Sequence, residues 1–182
     1  AVKFARQITP GAKGIVVARD RSYHGASYAT MALSGDTRTR AHVDPSAYGV
    51  VHVPPPYAYR CPFGTSDADE CGRFAAKAIE SVIARHDRGD VVAVLMEPDA
   101  GTNGIVAPPN YWPRLREICD RRGALLVADE VMSAFGRVGE CRFERHGSDE
   151  CVPGDQAAVA AIRGRAIRGC FDRAGRFCVT RS

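Results

Sequence analysis

The residues best suited to chemistry are carboxylates that directly follow two apolar runs of the sequence. Asp129 and Glu130 follow the run Ala124–Ala128, and Glu97 follows the run Val91–Met96. Each run has the length and composition of a strand that is buried on both faces. A buried, unpaired carboxylate is costly, so a strand that ends in one usually meets a cation there. We therefore expect a cation-binding site at the ends of these strands.

The segment between the two strands predicts the element that places them side by side. Apolar residues recur on one helical face between Asn110, which we expect to cap the helix, and Gly123, which ends it. Strand, helix and strand in this order form a βαβ unit of a parallel sheet, with a right-handed crossover. Ligands of such sheets bind beyond the carboxyl ends of the strands. Glu97 and Asp129 are therefore expected at one sheet edge, in the binding crevice.

The upstream half of the chain predicts one strand, three helices and a long surface excursion. The strand is Gly14–Ala18. The excursion is Thr37–Gly64, which is rich in proline and aromatic residues. The helices are Val2–Thr9, Ala26–Leu33 and a third that Ser66 caps and that runs to His86.

The composition limits the class of protein. The chain has 182 residues, of which 45% are hydrophobic and 25% charged, which is typical of one globular domain with a real core. No apolar run approaches the length of a membrane span, and the N-terminus does not resemble a signal peptide, so we expect a cytoplasmic protein. Seven cysteines without C-x-x-C spacing indicate reduced thiols rather than a metal site. The net charge of +4 lacks the aromatic interleaving of a nucleic-acid site.

Two chemistries use an apolar strand that ends in Asp-Glu. In P-loop ATPases the Asp holds Mg²⁺, but this requires G-x-x-x-x-G-K-[ST] elsewhere, and the only Gly/Lys cluster, Pro10–Val17, lacks that spacing. The alternative cation is the pyridinium nitrogen of pyridoxal phosphate. A carboxylate beside that nitrogen keeps it protonated, which makes the ring an electron sink.

Two sequence blocks favour the second chemistry. The block EPDAGTNGIVAPPNYWPRLREICDRRGALLVADEVMSAFGRVGE, residues 97–140, closely resembles the middle of the class-III aminotransferases, which are fold-type-I pyridoxal-phosphate enzymes. The block RSYHGASYATMALSGD, residues 21–36, resembles the upstream Y-H-G segment of the same family. The resemblance runs from Ala1 to about Gly147. It implies an α/β fold with a mostly parallel sheet flanked by helices, part of the large domain of a homodimeric enzyme that transfers an amino group to a keto acid.

The resemblance also implies roles for individual residues. Asp129 matches the partner of the pyridinium nitrogen, and Tyr23 the aromatic residue that stacks on one ring face, with His24 and Gly25 completing that motif. The remaining matches are Val131 against the other ring face, Glu97 beside the cofactor or substrate, and Arg137 in the F-G-R-x-G turn. Apart from the resemblance, Val131 is typical of core packing, Tyr23 of a surface loop, and Arg137 of an ion pair.

Met132 departs from the family pattern. Most members have Gln at this position, where it reaches the phenolic oxygen of the cofactor, and Met cannot donate that hydrogen bond. Together with Gly101–Gly104, Met132 resembles the subgroup that acts on taurine, β-alanine and similar ω-amino acids with pyruvate. An aminomutase or a decarboxylase of the same family stays open.

Two expected parts of the family pattern are missing. The catalytic lysine that holds the cofactor as a Schiff base should follow the Asp129 strand, but the lysines are Lys3, Lys13 and Lys77. The phosphate-binding segment should precede Ala1. From Ser148 onward the sequence has no clear period, so residues 1–147 are predicted as the central part of the cofactor-binding domain and 148–182 as an irregular tail from a truncated or frameshifted reading frame. The alternative is a non-catalytic fragment or pseudo-enzyme.

Overall fold

The computed structural model describes residues 1–9, 13–87 and 89–133, together with the backbone of three strands within 158–180. In the described residues no helix is both long and apolar enough to cross a membrane. The α-helices of the described residues are α1 (Val2–Ile8), α2 (Tyr28–Leu33), α3 (Ala68–Ala84) and α4 (Tyr111–Arg122).

A mixed sheet of seven strands forms the centre of the molecule, and its first four strands are parallel. The parallel strands are β1 (Ile15–Arg19), β2 (Val50–Val53), β3 (Val91–Met96) and β6 (Leu125–Asp129). Their spatial order is β2-β1-β3-β6. A separate antiparallel pair, β4 (Asp99–Ala100) and β5 (Ile105–Val106), follows β3 in the chain.

The parallel strands are apolar on both faces because helices cover both faces. All six residues of β3 are buried. One face packs against α3 and α4 through a cluster that includes Val17, Val94, Leu126, Ile79 and Leu115. The other face packs against α1 and α2 through a cluster that includes Val16, Val92, Val127, Ala5 and Leu33. This two-sided burial is what the continuous apolar runs predicted.

The predicted βαβ unit is confirmed. Strands β3 and β6 are parallel neighbours, and Met96 lies opposite Ala128 in their register. Glu97 and Asp129 therefore leave the sheet at the same edge. The αL conformation of Gly123, with φ of 74°, ends α4 as predicted.

Two local predictions were wrong, and a third was right in position only. The excursion Thr37–Gly64 contains β2, which is only four residues long and half-exposed at its centre, so it gave no apolar run. The cap of α3 is Asp67, which accepts the Glu70 N–H at 2.9 Å, and not Ser66. Asn110 occupies the N-cap position of α4, as predicted, but its side chain makes no capping hydrogen bond, and its Nδ2 donates to the Asp69 carbonyl at 2.8 Å.

Within the predicted tail, residues 148–182, the structure describes the backbone of three strands. Three antiparallel strands, β7 (Ala158–Ile162), β8 (Arg165–Phe171) and β9 (Phe177–Thr180), continue the sheet from β6 in that order. A helix over Gln156–Ile167, which the composition allowed, is therefore wrong. The backbone of β6 supplies the pairing partner for β7, and such long-range pairing leaves no periodic signal in the sequence.

Candidate functional site

A cavity of about 470 Å³ lies at the carboxyl edge of the parallel strands, at the ends of β3 and β6. This volume falls within the range of small-molecule sites, roughly 300–1,000 Å³. Seven of the eight predicted site residues line this one cavity, and Arg137 lies outside the described residues. The lining consists of Tyr23, His24, Gly25, Glu97, Gly101, Thr102, Asp129, Val131 and Met132. Of these, Gly101 and Thr102 were not predicted as site residues.

The Asp129 carboxylate faces the cavity and is oriented by two hydrogen bonds. Its Oδ2 lies 2.7 Å from His24 Nδ1, and its Oδ1 accepts the Val131 N–H at 3.2 Å. Burial raises the pKa of the Asp129 carboxyl, but the hydrogen bond and charge of His24 and the Val131 N–H outweigh it, so the pKa is below its ordinary value. The side chain is 19% exposed, so an ionised carboxylate with remaining lone pairs faces the cavity.

His24 orients Asp129 through a hydrogen bond from its buried ring. Its ring is almost completely buried, and its backbone N–H donates to Ser34 Oγ at 2.8 Å. Because an ionised carboxylate only accepts hydrogen bonds, Nδ1 carries the proton that faces Asp129. Nε2 has no hydrogen-bond partner in the described part of the chain. The two residues are 105 positions apart, and no sequence signal pairs them.

Glu97 is held by a residue that the sequence analysis missed. Arg19, the last residue of β1, places Nη2 3.0 Å from Glu97 Oε2. The Tyr23 N–H donates to Glu97 Oε1 at 3.3 Å. Burial raises the pKa of Glu97 above its ordinary value, and the charges of Arg19 and His24 offset this only in part. The available signal was a single arginine at the end of an apolar strand, opposite in charge to the carboxylate of another strand end.

The mouth of the cavity is apolar and open. Val131 is 80% exposed, so core packing is the wrong explanation for it, and Tyr23 and Met132 are also exposed. Gly101 lets Met132 lie close, since a Cβ on Gly101 would stand 2.9 Å from Met132 Cγ. The Tyr23 ring, two apolar side chains and the Asp129 carboxylate together form a part of the lining that fits a flat cationic ring.

None of the three lysines of the chain lines this cavity. Lys13 Nζ lies 2.7 Å from Asp90 Oδ2, just before β1 and β3 begin, which is the opposite edge of the sheet. Lys77 is exposed on α3, and Lys3 is exposed on α1. A covalent attachment of a carbonyl ligand in the cavity therefore has no amine available in this chain.

A parallel sheet covered on both faces, with a carboxylate cavity at its carboxyl edge, defines an α/β protein of the kind that binds small molecules. Comparison with known proteins gives the family. The Aminotransferase class-III family matches residues 1–150, and the chain belongs to this family.

Curated relatives span several aminotransferases. An omega-aminotransferase of Caulobacter vibrioides is 35% identical over 76% of the chain. The hypotaurine/taurine–pyruvate aminotransferase of Paracoccus denitrificans is 39% identical over 75%, and the putrescine–pyruvate aminotransferase of Pseudomonas aeruginosa is 37% identical over 70%. The chain covers 32%, 30% and 28% of these proteins, respectively, and so spans about a third of their length.

Solved structures agree with this assignment. An amine transaminase from an uncultivated Pseudomonas species, in its pyridoxal-phosphate-bound form, matches with a TM-score of 0.68 and 32% identity. That match covers 75% of this chain and 32% of the other. An (S)-enantioselective omega-transaminase from Thermomicrobium roseum matches with a TM-score of 0.69 and 28% identity, over 76% of this chain and 32% of the other.

Proposed function

We propose that this chain forms the central part of the pyridoxal-phosphate-binding domain of an aminotransferase. The observation that carries the proposal is Asp129. Its carboxylate faces the cavity from the carboxyl end of β6 and is kept ionised by His24. In the whole protein, the reaction would transfer an amino group from an ω-amino substrate to a keto acid such as pyruvate.

The residues of the cavity would divide the work as follows. When bound, the cofactor supplies an electron-withdrawing ring. Asp129 would hold the proton at the ring nitrogen, which keeps the ring positively charged. Tyr23 would stack on one ring face and Val131 would pack on the other, and both are exposed at the cavity mouth. His24 would keep the Asp129 carboxylate in one orientation, while Gly25 lets the backbone turn there with φ of 119°.

The proposed amino donor is a short ω-amino acid of the taurine or β-alanine type. The support is the Met132 variant of the family motif and the relatives named for taurine, hypotaurine and putrescine. These three amines share a primary amino group at the end of an unbranched chain, and each relative uses pyruvate as its named partner. A side chain that cannot hydrogen-bond, such as Met132, leaves the adjoining part of the cavity apolar.

We also propose that the full enzyme is a cytoplasmic homodimer, as the family resemblance implies. The exposed apolar side chains of Tyr28, Val131 and Met132 would then be covered by parts of the assembly outside the described residues. Sedimentation of the full enzyme at its working concentration would test this, and a monomer would contradict it.

The first experiment measures non-covalent binding. Pyridoxamine 5′-phosphate carries the same ring but cannot condense with lysine, so quenching of protein fluorescence reports the cavity alone. We expect binding to the chain, and weaker binding to Asp129→Asn by roughly ten- to a hundredfold, since a charge-assisted hydrogen bond is worth about 1.5–3 kcal/mol. Asp120→Asn is the matched control, because Asp120 is an exposed carboxylate on α4 that pairs with Arg116.

Two outcomes would overturn the proposal. One is equal affinity of Asp129→Asn and the parent chain, which would make the carboxylate structural. The other is that the chain ignores pyridoxamine 5′-phosphate and binds Mg²⁺–ATP in an Asp129-dependent way, as the P-loop alternative requires.

The second experiment tests the chemistry of the chain by itself. We expect no alanine to form from β-alanine, pyruvate and pyridoxal phosphate, because none of Lys3, Lys13 and Lys77 reaches the cavity. Borohydride reduction followed by peptide mapping should find only surface adducts. An adduct at one of these lysines that turns over with an amino acid would contradict the assignment.

A further inference from the structure

The buried ion pair between Arg19 and Glu97 is an expensive feature at the edge of the cavity. Their side chains are 0% and 5% exposed, and their facing atoms are 3.0 Å apart. Arg19 Nε and Nη1 are also buried and have no hydrogen-bond partner in the described part of the chain. Apolar residues of similar volume often stabilise a fold better than such a pair does. The pair therefore calls for a function other than stability.

The second oxygen of Glu97 shows what the pair holds. Glu97 Oε1 accepts the backbone N–H of Tyr23, a residue 74 positions away in the loop after β1. Tyr23 places its ring in the cavity, and the next residue, His24, bonds Asp129. One carboxylate thus links the arginine at the end of β1 to the backbone that carries two cavity residues.

The loop whose Tyr23 N–H donates this hydrogen bond needs external support. Arg21 has a φ of 62°, a left-handed conformation that costs a non-glycine residue free energy and persists only when the surroundings impose it. Asn103 Nδ2 donates to the Arg21 carbonyl at 2.8 Å, and Ser22 Oγ donates to the Arg19 carbonyl at 2.7 Å. The Glu97 carboxylate holds the Tyr23 N–H, while Ser34 Oγ holds the adjacent His24 N–H, so Glu97 is the contact that connects Tyr23 to the end of β3.

We propose that Arg19 and Glu97 are positioning residues that fix the Tyr23–His24 segment, so that Glu97 acts through this loop. For its meaning in the reaction, this rests on the proposed function. The chemistry requires an ionised carboxylate, because both of its oxygens must accept a donor, one from Arg19 and one from Tyr23. A glutamine has one acceptor oxygen, and its NH₂ group would face one of the two donors.

The test compares three variants of the chain. Glu97→Gln removes one acceptor with almost no change of volume. Arg19→Met combined with Glu97→Met replaces the pair by apolar side chains. Lys13→Met combined with Asp90→Met is the matched control. It removes the ion pair at the beginnings of β1 and β3, whereas Arg19 and Glu97 lie at the ends of the same two strands.

Three measurements separate positioning from simple stabilisation. They are the midpoint of unfolding in urea, the exchange rate of the Tyr23 amide hydrogen by NMR, and the ¹⁵N and ¹H signals of the His24 imidazole. We expect the Arg19→Met/Glu97→Met variant to keep the parent midpoint. Its Tyr23 amide should nevertheless exchange about fivefold to tenfold faster, as expected for the loss of one net hydrogen bond. The Nδ1 proton signal of His24 bonded to Asp129 should weaken, and the control variant should leave both signals unchanged.

The outcomes are decisive in both directions. Parent-like Tyr23 exchange and His24 signals in the Arg19→Met/Glu97→Met variant would overturn the proposal. If that variant does not fold, Glu97→Gln and Arg19→Lys decide: Lys keeps a cation for Glu97 and should preserve Tyr23 protection, whereas Gln should lose it. Equal protection in the two would overturn the proposal.

These NMR signals need no cofactor, so they separate this proposal from the proposed function. Accelerated Tyr23 exchange together with no pyridoxamine 5′-phosphate binding by the parent chain would sink the proposed function and leave the positioning role standing. Normal exchange with Asp129-dependent binding would do the reverse. If both hold, the paired variant should also bind pyridoxamine 5′-phosphate more weakly than the control does.

Discussion

In the described part of the chain, two ion pairs connect the ends of β1 and β3, one at each edge of the sheet, and their cations differ in burial. At the amino edge, Lys13 lies 2.7 Å from Asp90, and the Lys13 side chain is 65% exposed. At the carboxyl edge, Arg19 lies 3.0 Å from Glu97, and both side chains are buried. Both pairs join the same two strands, and both carboxylates are buried, but the cations differ in exposure. Lys13 keeps most of its contact with solvent, whereas Arg19 has lost its hydration at the edge of the cavity.

The two carboxylates of these pairs flank the same strand and have pKa shifts in opposite directions. The hydrogen bond from Lys13 lowers the pKa of Asp90, which precedes β3. Burial raises the pKa of Glu97, which follows β3, despite its arginine partner. The surroundings of Asp90 at the amino edge therefore favour the ionised carboxylate, whereas those of Glu97 at the carboxyl edge disfavour it. Carboxyl groups with a raised pKa are common at binding and catalytic sites.

The largest expected contrast comes from removing the cation of each pair. Arg19→Met leaves Glu97 buried and unpaired, and breaking a buried pair in this way costs about 3–5 kcal/mol of unfolding free energy. Lys13→Met leaves an Asp90 carboxylate that is 10% exposed and still accepts the Lys13 backbone N–H, so we expect a smaller loss of stability. Urea unfolding of both variants measures the difference. Similar losses in the two would mean that burial does not distinguish the edges.

The second contrast uses one glycine near each edge. In Gly35→Ala the new Cβ would stand 2.0 Å from the Arg19 carbonyl oxygen, and backbone cannot move aside as a side chain can. We expect a loss of about 1–3 kcal/mol or more. In Gly14→Ala the atoms nearest to the new Cβ belong to the flexible Arg6 side chain, the closest at 3.2 Å, but φ is positive at 76°, so we expect about 1–2 kcal/mol from backbone strain.

The loop after β1 provides the readout that distinguishes these two variants. Gly35→Ala should also disturb the His24 imidazole signals, because the Gly35 N–H donates to Ser22 in that loop. Gly14→Ala should leave them unchanged. A Gly35→Ala protein with parent stability would show that the loop can shift, which would weaken the view of a rigid carboxyl edge.

The sequence predicted the carboxyl edge better than its contacts. Glu97 and Asp129 could be placed at one edge because two continuous apolar runs around a helix leave little choice of topology. The pairing of Arg19 with Glu97 and of His24 with Asp129 could not, since it joins residues 78 and 105 positions apart and depends on strand register. Strand β2 was missed because its sheet position, next to β1, makes it a strand despite a weak pattern. The cap of α3 was misplaced by one residue, between two side chains that can both cap.

The smallest expected effect, and the most direct measure of the contrast, is the titration of the two carboxyls that flank β3. Carboxyl ¹³C NMR, with Glu97→Gln and Asp90→Asn for assignment, should find Asp90 titrating with a pKa below its ordinary 3.8 and Glu97 with a pKa above its ordinary 4.5.

The effects of the two carboxyls on the free energy of unfolding have opposite signs. Asp90 contributes stability above pH 3.8, which is lost as the pH falls through its lower folded value. Glu97 is harder to ionise in the folded chain, so it lowers the free energy of unfolding. This destabilisation is absent below pH 4.5 and grows as the pH rises from 4.5 through the pKa of Glu97 in the folded chain. Relative to the parent, Glu97→Gln should therefore flatten the change of stability with pH above 4.5, and Asp90→Asn the change below 3.8. A Glu97 that titrates below 4.5 would mean that the charge of Arg19 outweighs burial. Both edges of the sheet would then favour an ionised carboxylate.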